Sequence, residues 1–347
     1  MKGKMKVAEM PKARQIVLVE RDIPQLNADE LLIRLEYVGI CGSDLHFYED
    51  GRLGNWVAEE PLVLGHEPGG VVAEIGSGVT GFAVGDRVAL EPGVPCGVCE
   101  TCKKGTYNLC KRMSFMAIPK ERAGVFSEYC AHPANMCYKL PDHVSTLEGA
   151  LMEPLAVGLH ALDLADVKVG QSAVVLGCGC IGLVTIMALK AAGVDEIYAV
   201  DVIPKRLEKA KEVGALQVFD GKKENVTDII QTLSRGGTDH VFETAGTEFT
   251  TLQSAKLVGN AGVVTIIGMC SDPEVKVDLG SLSEKEGTLK TIFRYRNLYP
   301  MAIKLVSQGK MDLSSIVSHE FSLDEISKAI AYNINNKDDV IKAVIKM

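Results

Sequence analysis

Residues 171–201 read "QSAVVLGCGCIGLVTIMALKAAGVDEIYAVD". An apolar β run, Ala173–Leu176, meets a glycine-rich turn, an Ala/Leu-rich helical stretch and a second β run ending at Asp201. Gly177, Gly179 and Gly182 form G-x-G-x-x-G between a strand and a helix, the context in which that motif signals dinucleotide binding. The first glycine makes the turn. The second lets a pyrophosphate approach the backbone, and the third lets helix and strand pack closely. The helix N-terminus then presents unpaired N–H groups to the phosphates. A carboxylate about 20 residues on, here Asp201, hydrogen-bonds the ribose hydroxyls of NAD and repels a 2′-phosphate. Basic residues at Lys205 and Arg206 work against that repulsion. The cofactor-binding set is Gly177, Gly179, Ile181, Gly182, Asp201 and Arg206.

The alternation continues outward from this unit. "RLEKAKEVGA", "QVFD", "DHVFETAG" and "GNAGVVTIIGM" keep switching between helix and strand character, which predicts a doubly wound parallel sheet over residues 153–291. Upstream the texture differs. "ELLIRLEYVGI", "GGVVAEIGSGVTGFAVGDRVAL" and "CYKLPDHV" are β runs punctuated by Gly and Pro. Residues 1–152 are therefore predicted to form a β-rich domain. Downstream, "TIFRYRN" alternates as a strand, Asn297 caps the helix "LYPMAIKLVSQG", and Pro300 fits its first turn. Residues 292–347 are expected to rejoin the first domain.

Bulk properties exclude several classes. The 347 residues carry a net charge of −8 without a long basic run, so neither nucleic acid nor an acidic membrane is expected as a partner. The longest apolar run, Ile181–Leu189, is about half of the roughly 20 residues a spanning helix needs. The Lys-containing N-terminus lacks the apolar segment of a signal peptide. A cytoplasmic location follows, where clustered cysteines bind metal or catalyse more often than they form disulfides.

"EPGVPCGVCETCKKGTYNLCKR" (91–112) holds such a cluster: Cys96, Cys99, Cys102 and Cys110, spaced C-x2-C-x2-C-x7-C. Four thiolates close a tetrahedral site and leave no position for substrate, so the ion is a structural zinc. An iron–sulfur cluster meets the same ligand count. Lys103, Lys104, Lys111 and Arg112 are placed to offset the excess negative charge.

"GICGSDLHFY" (39–48) and "LGHEPGG" (64–70) offer a mixed donor set, Cys41, His66 and Glu67, suited to a catalytic zinc with an open position. Glu153, in "LMEPLAVGLH", competes with Glu67 for one coordination position. Ser43 and His46 can relay a proton from an alcohol towards solvent. An alcohol must lose that proton before it gives up hydride, and zinc assists as a Lewis acid.

With these pieces in place the chain resembles the zinc-dependent medium-chain dehydrogenase/reductase superfamily from about residue 10 to the C-terminus. Within it the sequence is most similar to the sorbitol (polyol, L-iditol 2-) dehydrogenase branch, through "CGSDLHFYEDGRLG", "PLVLGHEPGG", "YNLC", "PANMCYKLPDHV", "GALMEPLAVGLHA" and "IFRYRNLYPMAI". The resemblance implies a GroES-like catalytic domain beside a Rossmann domain, two zinc ions per chain, NAD, a polyol substrate oxidised to a ketose, and a homo-tetramer. It also implies that Cys41, His66 and Glu67 bind the catalytic zinc, with Glu153 on its water or as alternative ligand, and that Ser43 and His46 form the relay. Arg294 and Tyr295 would lie by the substrate and the zinc water. Threonine and butanediol dehydrogenases share nearly all these motifs, and only "FRYRN" points to polyols. A retired dehydrogenase fold with a structural or nucleotide-binding role is the remaining alternative, and intact Cys41, His66 and Ser43 argue against it.

Overall fold

The computed structural model describes residues 2–58, 61–270, 272 and 274–347. The chain divides into two compact units, Met1–Glu153 with Tyr299–Met347, and Pro154–Leu298. The first break falls inside the helix Thr146–Ala165, immediately before its internal Pro154. The second lies at 298/299 instead of 291/292. Tyr299 is fully buried and its hydroxyl donates to the Leu90 carbonyl at 2.9 Å, which fixes the start of the helix Tyr299–Ser307 in the first unit.

The first unit is built on a largely antiparallel sheet. Its order runs Cys137–Lys139, Arg87–Leu90, Glu67–Ile75, Glu30–Gly39, Lys342–Lys346, Val317–Ser322, and Tyr129–Pro133 also pairs with Glu30–Gly39. Glu30–Gly39 is almost continuously buried, so its sequence reads as an apolar run and not as a strict alternation. Leu31, Ile33, Leu35, Val72, Val88, Leu90, Phe126 and Ile345 form its core. The C-terminal strand Lys342–Lys346 pairs antiparallel with it, Val344 opposite Gly39. The last residues of the chain thus lie beside "GICG".

The second unit is a six-stranded parallel sheet in the order Gln217–Asp220, Glu196–Asp201, Ser172–Leu176, Thr238–Glu243, Val258–Ile266, Thr288–Thr291. In chain order this is 3-2-1-4-5-6, the doubly wound arrangement, with the switch point at Ser172–Leu176. Val174, Leu176, Val200, Val241 and Val264 pack in its core.

One local expectation fails. The final strand ends at Thr291, so "FRYRN" is not a strand, because Arg294 (φ +54°) and Asn297 (φ +58°) adopt left-handed backbone that an extended ribbon excludes. With the helix starting at Tyr299, Asn297 stands one residue before the cap position, while Pro300 does sit in the first turn.

His132 is a fully buried link in the first unit. Arg122 Nη1 donates to its Nδ1 at 2.8 Å, so the ring proton lies on Nε2 and is donated to the Glu91 carbonyl at 2.8 Å. Burial, and secondarily the Arg122 charge, push its pKa down to about 3. The unfolded chain therefore binds a proton below pH about 6.5 that the native state refuses until about pH 3. Stability attributable to this residue is complete above pH 6.5 and is lost as pH falls, by up to about 1.4 kcal/mol per pH unit. Trp56, the only tryptophan, lies in this unit and reports its unfolding. Between pH 6.5 and 5, urea titrations followed by Trp56 fluorescence should show a shallower pH slope in His132→Asn than in wild type, by close to one proton. An equal slope would mean that His132 is protonated in the native protein.

Candidate functional site

The four-cysteine loop folds around a point. Cys99 Sγ lies 3.4 Å from Cys102 Sγ and 3.7 Å from Cys110 Sγ; Cys96 Sγ lies 3.5 Å from Cys110 Sγ and 4.0 Å from Cys102 Sγ. Ligands about 2.3 Å from a tetrahedral zinc stand about 3.8 Å apart, close to these four separations, and all four sulfurs lie within 4.8 Å of one another. All four cysteines are free thiols. The Thr101 hydroxyl and the Cys102 amide pull the Cys99 thiol down to about 6, while burial and then Cys99 and Cys110 push Cys102 up to about 12. Full ionisation of the group thus needs a cation at its centre. Of the four basic residues expected to offset its charge, Arg112 touches it, donating to Cys96 Sγ at 3.2 Å, whereas Lys104 pairs with Glu100. The loop is tied to the core through Tyr107, whose hydroxyl donates to buried Glu91 at 2.7 Å.

A second group joins Cys41, His66 and Glu67, with one ligand atom from each within 4.8 Å of the others. Cys41 is the N-cap of the helix Gly42–Asp50, and Glu67 opens the strand Glu67–Ile75. Glu153 is buried in the same unit but outside this group as it stands. The thiol, imidazole and carboxylate fit a borderline ion such as zinc with a coordination position left over. Ser43 and His46 share the helix, three residues apart and so on one face, and His46 Nδ1 lies 3.9 Å from the Asp50 carboxylate.

Two residues that sequence reading passed over complete this site. Asp44 is 1% exposed. Its carboxylate accepts from the amides of Cys41 at 2.9 Å and Gly65 at 3.0 Å and stands 3.6 Å from His66 Nδ1. It thereby fixes both segments that carry ligands and orients the imidazole. Burial disfavours charge on each partner, yet His66 holds the Asp44 carboxyl below its ordinary value, and Asp44 with Cys41 draw the His66 ring well above its own. The pocket favours positive charge at its centre. The available signal was an acid three residues after a helix start, the last member of a capping box. The other residue, Lys342, is 3% exposed and forms an ion pair with Glu67. Only a lysine opening the otherwise apolar stretch of the strand Lys342–Lys346 hinted at it.

In the second unit the three glycines play distinct parts. Gly177 has φ +94°, and a Cβ there would come within 2.8 Å of the Ala245 amide. A Cβ on Gly182 would overlap the Gly177 carbonyl oxygen, so helix and turn could not pack. Around Gly179, the N-cap of the helix Cys180–Ala191, a Cβ would meet only Arg206 Nη1, at 4.0 Å. The backbone is open there, as a pyrophosphate requires. Ile181 lies in the first turn of that helix and Arg206 on the helix Pro204–Glu212. Asp201 is more committed than expected. Its carboxylate accepts from the amides of Cys178 (2.6 Å), Val202 (2.7 Å) and Ile203 (2.9 Å), which leaves about one of its four acceptor positions for a ribose hydroxyl. Arg294 and Tyr295 belong to this second unit; Tyr295 is buried, and the Arg294 guanidinium lies over the Phe293 ring, 4.8 Å from its centroid.

Residues 27–142 match the alcohol dehydrogenase GroES-like domain family, and residues 180–308 match the zinc-binding dehydrogenase family. The sequence is 37% identical to a sorbitol dehydrogenase of Bacillus subtilis over 98% of this chain and 97% of the relative. The crystal structure of an Escherichia coli oxidoreductase/dehydrogenase of unknown specificity superposes with a TM-score of 0.96 at 42% identity, covering 99% of each chain. That of 2R,3R-butanediol dehydrogenase from B. subtilis gives a TM-score of 0.90 at 33% identity, again over 99% of each chain.

Elemental analysis of protein purified without chelator should find two zinc ions per chain. Cys99→Ser should remove one and lower Tm by at least about 5 °C, because metal binding at a closed site is folding energy. Iron, or a single zinc that depends on Cys41 alone, would refute the four-thiolate site. Cofactor choice gives a separate check. Like charges about 4 Å apart cost about 4 kcal/mol at an effective dielectric near 20, less with solvent access, so NAD should be preferred over NADP by at least tens-fold. Asp201→Ser should narrow that ratio of kcat/KM, and an unchanged ratio would remove Asp201 from cofactor selection.

Proposed function

The chain belongs to the zinc-binding alcohol dehydrogenase family, whose members are oxidoreductases using zinc and NAD(P), and on that footing we propose that it oxidises a secondary hydroxyl of a sugar alcohol to a ketose with NAD. The observation that carries this reading is the convergence of Cys41, His66 and Glu67 from separate segments into a mixed donor set, which the four-cysteine loop cannot replace because its ligands close the shell. Zinc, when bound, supplies Lewis acidity towards the substrate oxygen, and NAD accepts the hydride.

The chain's own residues have the remaining tasks. Cys41, His66 and Glu67 hold the ion, with Glu153 as the alternative carboxylate. Asp44 keeps the imidazole of His66 oriented through its Nδ1 side. Ser43 accepts the hydroxyl proton and His46, 42% exposed, delivers it to water. Gly177, Gly179, Ile181, Gly182, Asp201 and Arg206 seat the dinucleotide. Arg294 recognises the hydroxyls flanking the carbon oxidised, with Tyr295 beside the substrate. The likeness to sorbitol dehydrogenase supports a polyol substrate. A vicinal diol is the second reading, favoured by the likeness to butanediol dehydrogenase.

Sorbitol, xylitol, galactitol, threonine and 2,3-butanediol, each with NAD, form the deciding panel, and NADH formation with none of them would overturn the enzymatic proposal. Arg294 supplies the sharper test. Hydrogen bonds to a charged group contribute about 1.5–3 kcal/mol each, so Arg294→Ala should lower kcat/KM for sorbitol or xylitol about ten- to a hundredfold. Arg294→Lys, lacking the rigid fork of donors, should also be impaired. Activity on a simple secondary alcohol should fall much less. Equal losses on both would assign Arg294 to the fold, and no loss on either would move the diol or threonine ahead of the polyol.

A further inference from the structure

We propose that Lys342 is a positioning residue for the metal site of the first unit, holding one oxygen of Glu67 so that this carboxylate offers the ion a single oxygen. The proposal rests on the Cys41–His66–Glu67 reading above. Lysine is almost never fully buried unless paired, and here an ammonium at 3% exposure meets a carboxylate at 2%. Such a pair is weak evidence for stability, since well-packed apolar residues often serve a core as well. Its position suggests another purpose.

Three adjacent strands build the arrangement. Gly39 ends Glu30–Gly39, with Glu67 opposite it on one side and Val344 on the other. Lys342 Nζ pairs with Glu67 Oε2 and donates to the Ile40 carbonyl at 2.9 Å, immediately before Cys41. The ammonium is thus aimed by a backbone acceptor that the sheet fixes. Gly39 provides the room: a Cβ there would overlap the Glu67 carboxylate and stand 3.0 Å from Lys342 Cε. This glycine has ordinary backbone torsions, so the requirement is space and not conformation.

Charge and geometry give the clamp its consequence. A thiolate, a carboxylate and a neutral imidazole leave a divalent ion formally neutral. A two-oxygen grip by Glu67 would occupy the position an incoming alcohol oxygen needs. Lys342 takes one of those oxygens and adds a positive charge beside the ligand set. This keeps the position open and the ion electron-poor.

The test uses the full-length protein with cobalt in place of zinc, because cobalt's visible d–d bands weaken when coordination rises from four to five. In Lys342→Met the released carboxylate should take two positions, and the bands should weaken. Zinc affinity, read by competition with a chromophoric chelator, should change by about ten- to a hundredfold, the range for partners of metal ligands. With the most active polyol, kcat should fall by a similar factor while KM stays within about threefold. Lys342→Arg should recover part of kcat. Gly39→Ala covers the case in which Lys342→Met does not fold: its methyl displaces the same carboxylate with Lys342 in place, and the same weakening is expected. Unchanged cobalt spectra in Gly39→Ala, or unchanged spectrum, affinity and kcat in Lys342→Met, would overturn the proposal. The site itself is checked independently. If Cys41→Ser removes no thiolate-to-cobalt absorption from the wild-type spectrum, the reading of the metal site fails; if it does and the clamp variants are silent, only the role of Lys342 fails.

Discussion

Cys41, Asp44 and Glu67 bring three groups that carry or can carry negative charge together, Asp44 and Glu67 buried at 1% exposure and Cys41 half-buried. Buried charge is tolerated only when paired or bound to metal. The surrounding first unit answers that demand. Asp44 is stabilised by two amides and by the His66 ring, Glu67 by Lys342, and the three ligand atoms are left facing a common centre. The helix start at Cys41, the turn at Gly65 and the C-terminal strand are all fastened by these contacts.

The two cysteine-containing sites divide their chemistry by donor type. Four sulfurs, four of their six separations at 3.4–4.0 Å and all within 4.8 Å, would satisfy a tetrahedral ion and exclude a substrate. Mixed donors hold an ion less symmetrically and leave it able to accept another oxygen. The first site clips a lobe to the core through Tyr107 and Glu91; the second depends on neighbours such as Asp44 and Lys342 for orientation. The proposed dinucleotide site follows a different logic, because it is made of backbone. The turn takes its shape from absent side chains at Gly177 and Gly182 and is open at Gly179, and Asp201 spends three acceptor positions on its amides.

The sequence alone determined whatever short-range spacing dictates. C-x2-C-x2-C-x7-C fixes four thiols near one point, G-x-G-x-x-G between a strand and a helix fixes a tight glycine turn, and alternating strand and helix fix a parallel sheet. "GHE" and "GICGSD" displayed the mixed donors for the same reason. Tertiary structure alone decided what depends on burial and on distant partners. Lys342 is hundreds of positions from Glu67 and looks like a surface lysine until the last strand joins the sheet. Asp44 looks like a solvated helix residue until Gly65 and His66 close over it. "FRYRN" alternates like a strand, yet two left-handed residues, which no apolar–polar pattern encodes, break it. Local pattern reports which groups lie near each other along the chain. Which charges lose their water, and which partner then neutralises them, is set only when separate segments pack.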